Sequence, residues 1–214
     1  MKYNKVVVFD LDDTLYNEVD YLKSAYYEIA QYVDANEFGL SDEMFQNYTN
    51  GSNVFKLLIG KYPAFAMDDL LYKYRNHLPS ILPREGALEL LLKLKQEKTI
   101  LGLITDGRSV SQRNKLNALN ITHFFDDIII SEEFGSEKPC IANYMFFEKY
   151  SADEYYYIAD NVKKDFIGPN NLKWSTICIM DNGKHIHKQQ FNLEQVFLPK
   201  HQITKLSDAY NIIK

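Results

Sequence analysis

The chain contains few cysteines, with only Cys140 and Cys178 among its 214 residues. They are far apart and form no Cys-x-x-Cys pair. Cys178 lies inside an apolar run at residues 176–180, which predicts a buried structural thiol, whereas Cys140 follows a Lys-Pro pair and is expected to be partly exposed. Sparse, unpaired cysteines predict a reduced, cytoplasmic protein.

Long apolar runs and a surplus of positive charge are also absent. No apolar run is long enough to span a bilayer, and residues 1–4 lead directly into a strand pattern without the features of a signal peptide. The formal net charge of -5 argues against nucleic acid or an anionic membrane as the main partner. The expected partner is a small molecule, and the expected oligomeric state is a monomer or a homodimer.

Short apolar runs alternate with helical patterns along most of the chain. Strands are predicted at residues 6–9, 100–104, 128–130, 155–158 and 176–179, with a final edge strand at 195–198. Helices are predicted at residues 85–98, 109–119, 141–150 and 163–174, and another begins near Ser207. This alternation predicts an α/β fold in which right-handed crossovers connect a parallel sheet.

Residues 17–82 interrupt the alternation of strands and helices because they contain no convincing strand pattern. Helical patterns cover residues 19–34, 42–50 and 68–77. We predict a helical cap domain at 17–82, inserted into a catalytic core formed by residues 1–16 and 83–214. A helical lid over the edge of a sheet can exclude water and select substrates.

Polar side chains follow four of the predicted strands at their carboxyl ends. These residues are Asp10 and Asp12 after the first strand, Thr105, Asp106 and Gly107 after the second, Lys138 after the third, and Asp160 and Asp165 after the fourth. Ligands of open α/β sheets bind at this edge, and residues two apart on an extended segment point the same way. The sequence therefore predicts a cluster of carboxylates, a hydroxyl and an ammonium at one site.

Repulsion among these carboxylates means that the cluster needs cations to balance its negative charge. Two like charges about 4 Å apart repel by roughly 4 kcal/mol at an effective dielectric constant of about 20. Lys138 supplies one balancing charge, and Mg²⁺ is the natural second because it prefers carboxylate oxygens. The Thr105 hydroxyl and the amides of Asp106 and Gly107, at the start of a helix, can bind phosphate oxygens.

These residues resemble the four motifs of the haloacid dehalogenase superfamily. The matching elements are Asp10-x-Asp12-x-Thr14, Thr105, Lys138-Pro139 and Asp160-x-x-x-x-Asp165, in the family order across residues 5–180. The insertion resembles the cap of the branch that contains phosphoglycolate and acylneuraminate phosphatases. The resemblance implies a Rossmann-like, three-layer parallel sheet core with a small all-helical cap. One departure is Ala159, where the fourth motif usually has glycine.

The resemblance also implies a role for each residue. Asp10 would be the nucleophile that forms an aspartyl-phosphate, and Asp12 the general acid and then the base. Thr105 would bind the phosphoryl oxygens, and Lys138 would balance the charge of nucleophile and phosphoryl group. Mg²⁺ would be held by Asp160, by Asp10 and by the Asp12 backbone carbonyl, with Asp165 supporting it or binding through water.

The leading function is therefore Mg²⁺-dependent hydrolysis of a small phosphate monoester. Asp12 argues against carbon–halogen cleavage, because a halide leaving group needs no proton. A phosphomutase of the same superfamily shares the whole motif set and remains an alternative. From another class, a phospho-receiver signalling module also joins Asp, Thr, Lys and Mg²⁺ on a parallel sheet.

Several polar residues near these motifs are interpreted as structural. Asp13 is expected to be structural or exposed, and Thr14 to bond the loop rather than substrate. Arg108, Arg113 and Lys115 are interpreted as a solvated helix face. The segment His185-Ile186-His187 is predicted to be extended with both rings on one face, without a third ligand for zinc.

Overall fold

The structure is a computed structural model that describes residues 4–214. It contains six strands, which are β1 (Lys5–Phe9), β2 (Ile100–Thr105), β3 (Asp127–Ile130), β4 (Glu154–Ala159), β5 (Ser175–Ile179) and β6 (His201–Ile203). They form one sheet in the order β3-β2-β1-β4-β5-β6, and every neighbouring pair is parallel. The predicted α/β class, the parallel sheet and its first five strands are therefore confirmed.

Ten α-helices connect or follow these strands within the described residues. They are α1 (Glu18–Asp34), α2 (Leu40–Thr49), α3 (Val54–Lys61), α4 (Met67–Asn76), α5 (Ala87–Gln96), α6 (Ser109–Leu119), α7 (Ser131–Phe134), α8 (Ile141–Met145), α9 (Ile167–Asn171) and α10 (Ala209–Ile213). None of the helices within residues 4–214 combines the length and the apolarity that crossing a bilayer requires.

Alternating side chains of the central strand build the layers on both faces of the sheet. Val7 and Phe9 pack into a core formed mainly with α5, α6 and α10. Val6 and Val8 point the other way, into a core with α8 and the residues around α9. The central strands are buried on both faces, which explains their continuous apolar runs. The predicted three-layer arrangement follows from this packing.

Two predicted elements differ from the structure. The edge strand predicted at 195–198 is wrong, because Gln195–Phe197 forms a 3-10 helix and the last strand is β6. The Asn170 side-chain amide occupies the carbonyls of Val196 and Leu198, and the following Pro199 has no amide hydrogen for a strand ladder.

The helix predicted at 163–174 is confined to α9. Before α9, a tight turn forms because the Asp165 side chain accepts a hydrogen bond from the Asn161 amide. After it, Lys173 adopts a left-handed backbone conformation with φ 63°, which ends helical geometry.

Both cysteine predictions are confirmed, since Cys178 is buried and Cys140 is exposed.

The four helices α1–α4 all lie within the inserted segment predicted from the sequence. Their buried side chains form a separate apolar cluster, which contains Leu22, Tyr26, Ile29, Ala30, Leu40, Met44, Val54, Leu58 and Leu70. Sequence reasoning missed α3, whose start is capped by the Asn53 side chain. The separate cluster agrees with a cap domain at 17–82, although that domain division stays a prediction.

Candidate active site

A small cavity lies at the carboxyl edge of the sheet, where β1 and β4 run side by side. The Asp10 amide donates to the Ile158 carbonyl at 2.9 Å, so the residues after the two strands become neighbours. The cavity has a volume of about 110 Å³ and is lined by Asp10, Asp12, Asp13, Glu18, Asp106, Lys138, Asp160, Asn161, Lys164, Asp165 and His187. Six of the predicted site residues thus meet in one place.

Asp10 is buried at the centre of this cavity. Its Oδ1 accepts a hydrogen bond from Lys138 Nζ at 2.5 Å, and its Oδ2 accepts one from Thr14 Oγ1 at 3.0 Å. Burial raises the pKa of Asp10 to about 7; Lys138 opposes this shift, and Asp165 adds to it. Thr14 therefore supports the loop and Asp10, as predicted.

Lys138 joins two carboxylates rather than one. Its Nζ also lies 2.8 Å from Asp165 Oδ1, in an ion pair that lacks hydrogen-bond alignment. Burial alone would lower the pKa of Lys138, but Asp10 and Asp165 raise it well above its usual value. The Lys138 amide donates to Asp106 Oδ1 at 3.0 Å, and Lys164 Nζ contacts Asp106 Oδ2 at 2.8 Å. The Asp106 side chain thus fixes the Lys138 loop.

Asp12 lies in a different environment two residues away. Lys115 Nζ donates to its Oδ1 at 2.7 Å, Tyr16 donates a short hydrogen bond to the same oxygen, and Gln112 donates to Oδ2 at 3.3 Å. Burial alone would raise the pKa of Asp12, but Lys115, Tyr16 and Gln112 hold it below its usual value.

The interpretation of Lys115 as part of a solvated face is wrong, because its side chain is only 4% exposed. Gln112, Lys115, Leu116 and Leu119 all lie on the buried face of α6, at spacings of three and four residues. That spacing is the signal that could have identified Lys115. Arg108 and Arg113 form exposed ion pairs with Glu132 and Glu133, as a solvated face requires.

Three buried carboxylates form a candidate metal site. Oxygen atoms of Asp10, Asp160 and Asp165 lie within 4.8 Å of one another. Lys138 contacts Asp10 and Asp165, so a surplus of two negative charges remains when all three carboxylates are ionised. Burial, and then Asp10, raise the pKa of Asp160 well above its usual value. Hard oxygen ligands with a charge surplus of two fit Mg²⁺.

Of the residues at the carboxyl end of β2, only Asp106 lines the cavity. The Thr105 hydroxyl is buried and, within residues 4–214, has no hydrogen-bond partner, so it is available to an oxygen ligand. The Gly107 amide already donates to Ser131 Oγ at 2.9 Å. Neither residue lines the cavity, whereas Asp106 does. Phosphate binding by Thr105, Asp106 and Gly107 stays a prediction.

Sequence reasoning missed several residues around the cavity. Glu18 begins α1 and reaches the cavity from the cap; burial, followed by Asp12, raises its pKa to about 8. Asp13 is buried and accepts hydrogen bonds from the amides of Glu18 and Ile186, both at 2.8 Å, which confirms a structural role. Neither Glu18 nor the loop around Ile186 belongs to a sequence motif, so only the folded chain reveals them.

The extended segment predicted around His185 is also wrong. Residues 180–194 form irregular structure, in which His187 lines the cavity. His185 instead lies beside Asp160, with its Nδ1 3.5 Å from Asp160 Oδ2 and its Nε2 2.8 Å from Arg84 Nη1. Burial, followed by the Arg84 charge, lowers the pKa of His185 to about 4, so the ring is neutral near pH 7.

The parallel sheet and the cavity at its carboxyl edge define an α/β enzyme site suited to an anionic substrate and a hard cation. The chain belongs to the haloacid dehalogenase-like hydrolase family, whose sequence profile matches residues 7–179.

Two curated relatives match nearly the whole chain. The chain is 32% identical to the glyceraldehyde 3-phosphate phosphatase of Methanocaldococcus jannaschii, over 98% of this chain and 97% of that protein. It is 28% identical to the enzyme of the same name from Methanopyrus kandleri, over 98% and 97% of the two chains. The magnesium-bound structure of YfnB from Bacillus subtilis has the same fold, with a TM-score of 0.69, 21% identity and full coverage of both chains.

Proposed function

We propose that this chain hydrolyses a small phosphate monoester in a Mg²⁺-dependent reaction that passes through an aspartyl-phosphate on Asp10. The chain is a phosphoric monoester hydrolase of its family. The observation that carries the proposed mechanism is the position of Asp10. Its carboxylate lies in a small cavity, paired with the buried Lys138, and Asp12, Asp160 and Asp165 line the same cavity.

In the first step, an Asp10 carboxylate oxygen attacks phosphorus, and the bond from phosphorus to the substrate's alcohol oxygen breaks. Asp12, which is ionised in the free protein, takes up a proton when the anionic ester binds beside it and gives that proton to the departing alcohol oxygen. In the second step, Asp12 takes a proton from water, and that water attacks phosphorus. The bond from phosphorus to Asp10 then breaks, which releases inorganic phosphate and restores both carboxyl groups.

Lys138 and the metal would balance charge in both steps. The ammonium of Lys138 lies against Asp10, where negative charge is concentrated on the phosphoryl oxygens during transfer. Asp10, Asp160 and Asp165 would hold Mg²⁺, which would neutralise phosphoryl charge when it is bound. The contact predicted from the Asp12 backbone carbonyl to the metal remains part of this proposal.

The proposed substrate is short. The cavity of about 110 Å³ is lined by the carboxylates and lysines of the site and receives the phosphoryl end of the ester. Two relatives that the chain matches over nearly their full length are glyceraldehyde 3-phosphate phosphatases. These relatives favour a three-carbon phosphate ester over a nucleoside monophosphate, which also remained open from the sequence.

The alternatives differ in how well they are supported. None of the comparisons supports a phospho-receiver module. A phosphomutase would use the same residues but would return the phosphoryl group to a second sugar hydroxyl. Release of inorganic phosphate without a bisphosphate activator separates hydrolysis from mutase activity.

The test is a phosphate-release screen with Mg²⁺ over glyceraldehyde 3-phosphate, phosphoglycolate, sugar phosphates and nucleoside monophosphates. We expect hydrolysis, with preference for the three-carbon esters, and its loss in EDTA. Restoration by added Mg²⁺ controls for damage by the chelator. Undiminished activity in EDTA would remove the metal from the mechanism, and preference for nucleotides would overturn the proposed substrate class.

A further inference from the structure

A short segment after β5 closes one side of the metal site. We call residues 181–189 the strap. Asp181 Oδ1 accepts hydrogen bonds from the amides of Gly183, Lys184 and His185 at 2.7, 3.1 and 3.1 Å, which fold the strap into a tight turn. Such a side-chain-to-backbone turn holds the start of the strap in a defined shape.

Two further contacts attach the strap to the edge of the sheet. The Ile186 amide donates to Asp13 Oδ2 at 2.8 Å. Gln189 Nε2 donates to the backbone carbonyls of Asp160 and Ile179 at 2.8 and 2.9 Å. His185 lies between these two attachments, so its backbone position beside Asp160 is fixed.

The His185 side chain is fully buried, with 0% of its surface exposed, although most of the strap is exposed. Arg84 Nη1 lies 2.8 Å from its Nε2. Arg84 is itself fixed, since it also donates to the carbonyls of Asp13 at 2.7 Å and Met180 at 3.1 Å. The Arg84 guanidinium is therefore fixed in position, and it contacts the His185 ring on the Nε2 side, away from Asp160.

The Arg84 contact decides which ring nitrogen carries the proton. A guanidinium has only donors, so Nε2 of His185 must accept its hydrogen bond. In a neutral imidazole the other nitrogen then carries the hydrogen, so Nδ1 is a donor. This donor faces Asp160 Oδ2 at 3.5 Å and, among residues 4–214, has no formed hydrogen bond.

We propose that His185, held by Arg84, is a positioning residue that donates its Nδ1 hydrogen to Asp160 and so orients that carboxylate toward Mg²⁺. The proposal rests on the metal role given to Asp160 in the proposed function. Donors that fix a ligating carboxylate typically change metal affinity by about 10- to 100-fold when they are removed.

The contact with Arg84 also prevents His185 from binding a second metal ion. Ligand atoms of Asp13, Asp160 and His185 lie within 4.8 Å of one another, which is close enough for a second metal ion. Metal binding needs a lone pair on Nδ1, but that nitrogen carries the proton while Arg84 bonds Nε2. The positive charge of Arg84 beside the ring also opposes a second cation. His185 is therefore a partner of a ligand and not a ligand.

The test compares two variants of the full chain by calorimetric titration with Mg²⁺. The amide of Asn can present a donor near the position of Nδ1, whereas the longer Gln reaches the position of Nε2. We expect His185→Asn to keep nearly wild-type affinity and His185→Gln to bind Mg²⁺ about 10- to 100-fold more weakly. Excess Mg²⁺ should restore turnover of His185→Gln, which damage to the fold would not allow.

Wild-type affinity in both variants, or equal loss in both, would overturn the proposal. A second divalent ion per chain that disappears in His185→Asn would also overturn it. Because binding is measured directly, these outcomes are distinct from a failure of the proposed function, which is the absence of phosphate release by the wild-type protein.

A measurement on the wild-type protein needs no variant and so does not depend on how the variants fold. Long-range nitrogen–proton NMR spectra report which imidazole nitrogen carries the hydrogen. We expect the Nδ1-protonated tautomer for His185, with the Nδ1 signal shifting when Mg²⁺ is added. An Nε2-protonated ring, or an Nδ1 signal that Mg²⁺ leaves unchanged, would contradict the proposal.

Discussion

The buried carboxylates on the two sides of the cavity are balanced in different ways. The Asp10 side comprises Asp10, Lys138, Asp160 and Asp165, and the Asp12 side comprises Asp12, Tyr16, Gln112 and Lys115. Asp10 and Asp12 follow one strand, and each contacts a buried lysine, Lys138 or Lys115. Yet the pKa of Asp10 is raised to about 7, chiefly by burial, whereas the pKa of Asp12 is held below its usual value because Lys115 and its hydrogen bonds outweigh burial. The neighbours, and not the residue type, set the difference.

The Asp10 side is incomplete without a further cation. Lys138 is shared between Asp10 and Asp165, and Asp160 adds a third carboxylate within reach. On the Asp12 side, Lys115 contacts Asp12, and the Tyr16 hydroxyl and Gln112 amide add neutral donors. The Asp10 side is therefore suited to bind a metal and a phosphoryl group, whereas the Asp12 side holds one carboxyl group in position.

Removing the Asp10 carboxylate should lower activity more than any other change proposed for the cavity. Asp10→Asn should lower kcat by more than about 10⁴-fold on every phosphate ester, because no carboxylate remains to attack phosphorus. The fold should persist, since a neutral amide of the same size relieves a buried charge. Phosphate release and thermal unfolding are the measurements.

Asp68→Asn, an exposed change in the first turn of α4, is the control and should leave both values unchanged. Substantial turnover by Asp10→Asn would contradict the covalent mechanism, because the Asp10 carboxylate would then not be needed as the nucleophile.

The second effect separates the roles of the two carboxyl groups. Asp12→Asn removes the proposed proton donor, and general acids contribute about 10²- to 10⁴-fold to rate. The loss should be near the upper value for alkyl phosphates, whose leaving alcohol needs a proton. It should be much smaller for p-nitrophenyl phosphate, whose leaving group departs as a stable anion.

The measurement is the ratio of kcat values for the two substrate types in variant and wild type. An equal loss on both would mean that Asp12 acts through structure or charge and not by proton transfer. Asp10→Asn is the matched control, because it should lower both rates together.

The Asp10 side could largely be predicted from the sequence, and the Asp12 side could not. Asp10, Lys138, Asp160 and Asp165 follow buried strands, and the carboxyl ends of parallel strands converge at one edge of the sheet. Their meeting in the cavity follows from the apolar pattern alone. Lys115 instead depends on which face of α6 packs inward, and charged residues are rarely buried without a partner.

Other differences have the same physical origin. His185 reaches Asp160 only through the turn of the strap and its contact with Arg84, which no local pattern encodes. The edge strand predicted at 195–198 does not form because Asn170, distant in sequence, bonds the carbonyls of Val196 and Leu198. Local periodicity predicts elements, whereas contacts between distant polar side chains emerge only from the folded chain.

Metal removal should affect stability in a pH-dependent way on the Asp10 side. Burial raises the folded-state pKa of Asp10 to about 7 and also raises that of Asp160, so the stability that their protonated forms provide is present in acid and lost as pH rises, near about 7 for Asp10. Mg²⁺ binds the ionised carboxylates and should restore this loss. At a hundredfold excess over Kd it stabilises by about 2.7 kcal/mol, or roughly 5–10 °C in Tm for a chain of this size.

Thermal unfolding with and without Mg²⁺ should therefore show a large shift near about pH 8 and less than half of it near about pH 5.5. NaCl at matched ionic strength is the control for screening and should reproduce neither shift. A shift of equal size at both pH values would mean that Asp10 and Asp160 are already ionised without metal, and the contrast with Asp12 would lose its basis.

Replacing Glu18, which reaches the Asp12 side of the cavity from the cap, should have only a small effect on stability. Burial, followed by Asp12, raises its pKa to about 8 against the opposing charge of Lys115. Its protonated form is thus favoured in the folded state, and the stability it provides is lost as pH rises toward about 8. Glu18→Gln cannot ionise, so in EDTA it should gain roughly 1 kcal/mol over wild type near about pH 8 and almost nothing near about pH 5. Thermal unfolding at the two pH values measures the difference.

If Glu18→Gln instead loses stability near the higher pH, Glu18 is a second anionic partner of Lys115. The Asp12 side would then share its lysine between two carboxylates, as the Asp10 side does.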